Sequence, residues 1–349
     1  MNLLNGIKII DFTRLLPGPV ATHLLAQMGA EIIKIESPGR VDYARSSGMQ
    51  VDGASLLFHQ LNHNKQLKLV DYATQEGKEE ILDLIKQADV LIEQFRPGAM
   101  EAWGFGYNAI KKINPGIVYV SLTGYGQEGI HKNEAGHDSN YLAYAGIMGL
   151  LKDETGKPVV PGFQLADISG AYMAVMAMQA ALLKKHKTGE GAFLDVNLCN
   201  AVMPFLAVPY AFHSMGLAHE KFNILNGKTA VNYAVYECAD GKWLSVAAME
   251  IKFWNNICQI IGKQEWMREN EFALMNNQFP KNEVEELFKT KSRDTWMEIF
   301  QGHDVCIAPV LEVKELENHP YHINENNFNE FITPNGTPLK TIGLPFKIK

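Results

Sequence analysis

The sequence has 349 residues, 46% of them hydrophobic and 20% charged, with a formal net charge of −7. That is enough material for a large core, in one big domain or two unequal ones, and the acidic balance argues against a nucleic-acid-binding role, which draws on a basic excess. No run approaches the ~18 apolar residues of a membrane span, and the opening stretch reads as strand and turn rather than signal peptide, so a cytoplasmic protein without a membrane partner is expected.

Ile7–Phe12 is a short apolar run ending in a polar turn, and it predicts the first strand. Pro19–Met28 has helical spacing and stops at Gly29, a residue suited to a left-handed helix end. Glu31–Ile35 predicts a second strand, Lys68–Val70 a weaker one, and Glu79–Gln87 a helix. Val90–Glu93 and Ile117–Leu122 follow as strands. This alternation is the βαβ rhythm of an α/β fold with a parallel sheet and covering helices.

A long helix is predicted from about Asp167 to Lys185. It is nearly apolar all round and is expected to be deeply buried. Thr188-Gly189-Glu190-Gly191 breaks it, and Ala192–Val196 returns as a strand. Residues 217–231 read as an irregular crossover. Tyr233–Cys238 and Trp243–Val246 then flank Ala239-Asp240-Gly241, a hairpin signal that opens a second unit. Helices near Glu250–Ile261, Lys281–Phe288 and Thr295–Phe300, a short strand Ile307–Val310 and an extended C-terminal return complete the chain.

The turn after the first strand is Leu15-Leu16-Pro17-Gly18-Pro19, without a GxGxxG motif, so a dinucleotide cofactor is unsupported. Cys199, Cys238, Cys258 and Cys306 lie far apart with no CxxC pair. They read as small buried side chains, and no metal site is expected. Gly136-His137-Asp138 precedes an apolar helix; Asp138 reads as an N-cap, and His137 as a surface, capping or catalytic residue. Asp167 sits where the long helix begins. Capping and the helix dipole explain an acid there, yet the same place suits catalysis, because free N–H groups at a helix start stabilise an enolate oxygen. Glu250 opens a later helix. Asn62-His63-Asn64-Lys65 and Phe95-Arg96-Pro97-Gly98 place single cations in loops, where each can meet a phosphate.

Taken together, these segments resemble the family III CoA-transferase and α-methylacyl-CoA racemase superfamily over nearly the whole chain. The resemblance runs in order through Asp11–Pro19, Glu93–Gly98, Gly104–Tyr107, Asn114–Gly126 and Thr188–Gly191. Gly136-His137-Asp138-Ser139-Asn140-Tyr141 is similar to the racemase signature, in which the His is a catalytic base. Asp167 matches both the second racemase acid/base and the nucleophilic aspartate of the transferases, and Glu250 matches the carboxylate that partners the racemase His. The resemblance implies a Rossmann-like large domain over residues 1–200, completed by about 320–349. It implies a linker over 201–230, a smaller α+β domain over 231–319, and an interlocked homodimer in which Glu250 reaches the site from the partner chain.

It also implies the chemistry. His137 and Asp167 remove and return a proton on opposite faces of the α-carbon of a 2-methylacyl-CoA, through an enolate, and Glu250 steadies His137. No cofactor is implied beyond the coenzyme A of the substrate. Asn62, His63, Asn64, Lys65 and Arg96 contact the CoA phosphates or pantetheine, while Gly136, Asp138, Asn140 and Tyr141 line the thioester end. The chain departs from the pattern at Ser37-Pro38, where racemases often carry Arg-Pro and where Arg40 is a replacement, and at Lys65-Gln66-Leu67, one positive charge short. Relatives usually continue into a final helix beyond Lys349. Two other readings stand beside the racemase: a transferase in which Asp167 forms an acyl-enzyme anhydride, and a non-catalytic CoA-binding protein that kept the fold.

Overall fold

The structure, a computed structural model, describes residues 2–217, 230–270 and 281–347. Most of the predicted crossover at 217–231 lies outside the described residues. The chain divides into two compact units, Met1–Leu206 with Tyr321–Lys349, and Ala207–Pro320.

The first unit is built on six parallel strands: β1 (Lys8–Asp11), β2 (Glu31–Glu36), β5 (Gln66–Leu69), β6 (Val90–Glu93), β7 (Val118–Thr123) and β8 (Ala192–Asn197). Their order is β5-β2-β1-β6-β7-β8. The central strands are apolar on both faces, as a sheet covered on both sides requires. Ile9, Val90, Ile92, Val118 and Val120 face a core shared with the helices α1 (Pro17–Gln27) and α7 (Leu165–Thr188). Ile10, Leu91 and Tyr119 face the opposite core, with Ile81 and Ile85 of α3 (Gln75–Lys86) and Ile110 of α5 (Tyr107–Ile113). Successive residues of one strand thus feed two cores. Between β1 and β6 the strand order reverses direction, and in open α/β sheets a crevice forms there, beyond the carboxyl ends of the strands.

Four short elements between these strands carried no periodicity long enough to predict. They are the β3–β4 hairpin (Gln50–Val51, Ala54–Ser55), α2 (Leu56–Asn62), α4 (Ala99–Trp103) and α5 (Tyr107–Ile113), while the expected helix after His137 is α6 (Asp138–Tyr144). The helix α7 runs longer than expected, and it is not deeply buried all round. Ala166, Gly170, Ala174, Met178 and Ala181 pack into the core, while Tyr172, Met176 and Leu183 are about half exposed or more. By length and hydropathy alone it would cross a membrane; its Ala- and Gly-rich face instead lies close against α1 and the sheet.

Charges are buried beneath the β1–α1 turn. Asp11 is fully buried and accepts from Thr13 N at 2.7 Å and Thr22 Oγ1 at 2.6 Å, with Lys65 Nζ at 3.4 Å. Burial alone would raise its pKa, but Lys65, Lys34 and the two hydroxyls hold it below the ordinary carboxylate value. Lys34, also fully buried, pairs with Asp42 Oδ2 at 3.0 Å and donates to the Thr13 carbonyl at 2.6 Å. Asp42 Oδ1 in turn accepts from Leu15 N at 2.9 Å and holds that residue at φ 65°.

The last segment returns to this unit as α14 (Pro320–Glu325) and the hairpin β12 (Phe328–Ile332) and β13 (Pro338–Ile342). Phe331 stacks on His63 at 3.9 Å, Gln27 donates to the Ile342 carbonyl at 3.2 Å, and Gln60 donates to that of Lys340.

In the second unit β9 (Tyr233–Glu237), β10 (Trp243–Ala247) and β11 (Ile307–Pro309) form an antiparallel sheet in the order β11-β10-β9. It packs on α10 (Ile251–Ile260), α11 (Lys281–Phe288) and α12 (Arg293–Phe300) through Tyr236, Leu244, Trp254, Phe288 and Trp296. Arg293 makes a two-pronged pair with Glu315, at 3.0 and 2.7 Å. Cys199, Cys238 and Cys258 are buried free thiols, and Cys306 is half-buried.

Two predictions follow from the buried groups. Lys34→Met strands Asp42 without its counter-charge and should lower urea-unfolding stability by about 3–5 kcal/mol. Lys86→Ala removes only an exposed pair with Asp83 and should change it by less than about 1 kcal/mol. His23 is buried against His63 and Asn64. Burial, then the positive Lys65, lowers its pKa from 6.5 to about 4. The unfolded chain therefore takes a proton below pH 6.5 that the folded chain refuses until about pH 4, so stability falls as pH drops through that window. Urea melts across the window should show this slope, and His23→Gln should flatten it.

Candidate active site

The crevice predicted by the strand order contains a cavity of about 420 Å³ in the first unit. Its walls come from the ends of three neighbouring strands. Leu15 and Pro17 follow β1, Gln94, Phe95 and Arg96 follow β6, and Leu122–Tyr125 end β7. Gly136, His137, Asn140 and Tyr141 close it from the start of α6, and Asp167 from the first turn of α7. Tyr43, from the 3-10 turn Tyr43–Ser46, completes the rim.

Gln94 ties two of these walls. Its side chain accepts from Gly18 N at 3.2 Å and donates to the Arg14 carbonyl at 2.6 Å. Gly18 has no room for a side chain, since a Cβ would meet Thr13 at 2.2 Å. Glu93, one residue earlier and buried, accepts from Ser121 Oγ and, at 2.7 Å, from Phe95 N. Burial pushes its carboxyl up to about 7, against those two donors. Sequence reading overlooked Gln94 and Tyr43. A polar residue just past a parallel strand was the available signal for Gln94; nothing in the sequence marked Tyr43.

His137 is the N-cap of α6 and exposed to the cavity, with its N–H donated to Asn140 Oδ1 at 3.1 Å. Tyr141 donates its hydroxyl to the Gly136 carbonyl at 2.6 Å, which shapes the turn before the histidine. Asp167 is the third residue of α7, so its carboxylate adds favourably to the helix dipole without being the cap. Burial, and then the neighbouring Asp138, push its pKa up to about 7. The two residues that sequence reading cast as proton-transfer partners thus line a single cavity.

Other expectations need correction. Asp138 is not an N-cap of its own helix. It is the first residue of α6, and its buried Oδ1 accepts from Ala166 N at 2.6 Å and Asp167 N at 3.1 Å. Those two α7 N–H groups therefore have partners and are not the free donors expected for an enolate oxygen. Asn62, His63, Asn64 and Lys65 do not line the cavity. Asn62 is buried and bonds the Phe58 carbonyl, His63 is stacked under Phe331, and Asn64 is exposed beside His23. The Lys65 ammonium is enclosed by Asp11, Thr22 Oγ1 at 2.7 Å and the Pro19 carbonyl at 3.1 Å. A cation so enclosed presents nothing to a phosphate. Arg96 does line the cavity and is exposed. Near it, Arg14 lies over the Phe95 ring at 4.9 Å and Arg40 over Trp103 at 4.7 Å. Glu250 belongs to the second unit, where it is the exposed N-cap of α10 without capping that helix through its side chain. Among the described residues no cluster of His, Cys, Asp and Glu could hold a metal ion.

Residues 4–349 match CoA-transferase family III. The chain belongs to that family. It is 32% identical to the succinyl-CoA:glutarate CoA-transferase of Homo sapiens over 324 residues, 91% of this chain and 74% of the relative. It is 28% identical to the alpha-methylacyl-CoA racemase of Homo sapiens over 344 residues, 96% of this chain and 86% of that one. The crystal structure of a CAIB/BAIF family protein from Brucella suis superposes with a TM-score of 0.83 at 26% identity, covering 99% of this chain and 92% of the other. The protein is thus a family III enzyme of the kind that acts on acyl-CoA thioesters.

The corrected placement of the cations is testable with CoA itself. Arg96→Ala should weaken CoA binding, measured by calorimetry, by roughly tenfold, the size of one charge-assisted contact. Lys65→Met should instead lower the melting temperature and leave the affinity of the folded protein close to wild type.

Proposed function

We propose that the protein epimerises 2-methylacyl-CoA thioesters by proton transfer through an enolate, as a racemase of the α-methylacyl-CoA type. The observation that carries this reading is the pairing of His137 with Asp167 in one cavity, with the carboxyl of Asp167 near pKa 7. A group at that pKa gives and takes a proton with equal ease at neutral pH, which a reversible 1,1-proton transfer needs on both faces of the α-carbon. In one direction Asp167 removes the α-proton and protonated His137 returns one to the opposite face. In the other the roles exchange.

The enolate oxygen requires donors other than the α7 N–H groups already bound by Asp138. Tyr43 and Asn140 line the cavity and supply them. Burial raises the Tyr43 pKa, so its hydroxyl stays protonated and donates. Asn140 uses its carbonyl oxygen on His137 N, which leaves its NH₂ to donate. A single such donor is typically worth about 3 kcal/mol. CoA is the handle, with Arg96, Arg14 and Arg40 toward its phosphates in place of Lys65, and no other cofactor takes part.

A second copy of the chain completes the site in this reading. The exposed Tyr172, Met176 and Leu183 on α7 form an apolar stripe of the kind that marks an interface. Glu250, exposed at a helix N-cap, would reach His137 from that second copy and steady its protonated form.

The similarity to a glutarate CoA-transferase favours a second reading, in which the Asp167 carboxylate attacks the thioester carbonyl and releases CoA as a thiolate, leaving an acyl-enzyme anhydride. That route gives His137 no part, which weighs against it.

Incubation with a chiral 2-methylacyl-CoA in deuterated water decides between them. Deuterium should enter the α-carbon and the stereocentre should scramble without any added carboxylate acceptor. Transfer of CoA to a free acid with no α-exchange would establish the transferase instead. His137→Ala should slow epimerisation by about 10²–10⁴-fold with CoA affinity nearly unchanged. For the direction in which Asp167 is the base, kcat/KM should fall as pH drops through about 7, because the carboxylate form is lost there.

A further inference from the structure

Two helices begin at the cavity, and one carboxylate joins them. Asp138 follows His137 directly in the chain, so its backbone is fixed to the imidazole-bearing residue at the start of α6. Its side chain turns away from α6. Oδ1 takes the N–H of Ala166 at 2.6 Å and that of Asp167 at 3.1 Å, the second and third residues of α7. The residue is 8% exposed, and its carboxylate reaches across 28 positions of sequence. Between these two helix starts the connection leaves Val160 and Phe163 largely exposed, while Ile147 packs into the core.

We propose that Asp138 is a positioning residue, whose buried carboxylate ties the first turn of α7, and with it Asp167, to the residue beside His137. The proposal rests on the epimerase reading for its catalytic consequence, and on geometry alone for the tie itself. A side chain that binds the first turn of α7 through two donors fixes both the height and the rotation of that turn. A shift of about 1 Å between a base and its proton can cost on the order of 10²-fold in rate. An ordinary cap would achieve the same stability for α7 from within its own segment; here Gln164, the N-cap, makes no side-chain cap bond. The cap comes from the residue adjoining His137, and that links the two catalytic partners.

The charge has a separate effect. Asp138 and Tyr141 from α6 and Tyr43 from the 3-10 turn lie near Asp167, and His137, Arg96, Tyr125, Lys132 and Glu134 line the same cavity; of the charged groups, Asp138 is the one that shifts Asp167. Both tyrosine pKa values are raised, so both rings stay neutral at pH 7. Asp138 is therefore the negative charge that acts on Asp167, and it adds to burial in raising its pKa.

The two effects separate in two variants. Asp138→Asn keeps an oxygen that accepts both N–H groups and removes the charge; Asp138→Ala removes both. Isotope-edited infrared titration of the Asp167 carboxyl, assigned by difference against Asp167→Asn, reads its midpoint without any turnover. In Asp138→Asn that midpoint should fall by at least about half a pH unit, and the acid limb of kcat/KM should move down with it. In Asp138→Ala kcat should drop by about 10–10²-fold with little change in KM. An unmoved Asp167 midpoint in Asp138→Asn, or wild-type kcat in a folded Asp138→Ala, overturns the proposal. Should Asp138→Ala not fold, Asp138→Asn alone decides. Absence of α-exchange in the wild type would remove the epimerase reading instead, and the infrared titration would still test the tie.

Discussion

A helix start leaves several N–H groups unmatched, and at this site two helix starts meet within one cavity. How those donors are satisfied governs the rest of the chemistry. Asp138 binds two of them from the neighbouring helix, so the cavity keeps Tyr43 and Asn140 as its neutral donors and Asp167 as its titrating acid. The same carboxylate that removes α7 from the list of oxyanion donors adds to burial in raising the proton affinity of Asp167. A free helix end would have favoured the ionised form of Asp167; an occupied one beside a second carboxylate favours the reverse.

The opposite wall depends on a different set of buried charges. Asp11, Lys65, Lys34 and Asp42 lie under the β1–α1 turn with their side chains at 0% exposure. Replacing such pairs by apolar side chains of similar volume is often neutral or stabilising, so they are poor sources of stability. Their effect here is geometric. Each bonds a backbone group of the turn or its helix: Asp11 the N–H of Thr13, Lys34 the carbonyl of Thr13, Lys65 that of Pro19, Asp42 the N–H of Leu15. Together with Gln94 they fix the chain that forms the cavity floor, including a leucine in left-handed backbone.

Much of this fold was legible in the sequence. The strands β1, β2, β6 and β7 are runs bounded by turns, and a run buried on both faces keeps that signature whatever its neighbours do. The family could be identified from motifs in order along the chain, and two of those motifs hold His137 and Asp167, which line one cavity. The failures have a common physical cause. Lys65 looks the same in sequence whether it meets solvent or a buried carboxylate, and its partner Asp11 lies 54 positions away. Asp138 stands where an N-cap belongs, and only the folded chain shows that it caps another helix. The apolar α7 promised burial on every side, but Tyr172, Met176 and Leu183 share its surface with solvent in the single chain. Short helices such as α4 span too few turns for a period to emerge.

The terminal hairpin gives the chain an order of assembly. The first unit takes its final strands from residues after Tyr321, while the second unit is one continuous stretch, Ala207–Pro320. On a ribosome the parallel sheet, the cavity and the whole second unit emerge before the segment that lays Phe331 over His63 and bonds Gln27 and Gln60. Domains commonly fold as they are made, beginning from the N-terminus. Here the earlier unit is finished only after the later one is made, and until then the His63 ring lacks Phe331 and Gln27 and Gln60 lack their carbonyl partners.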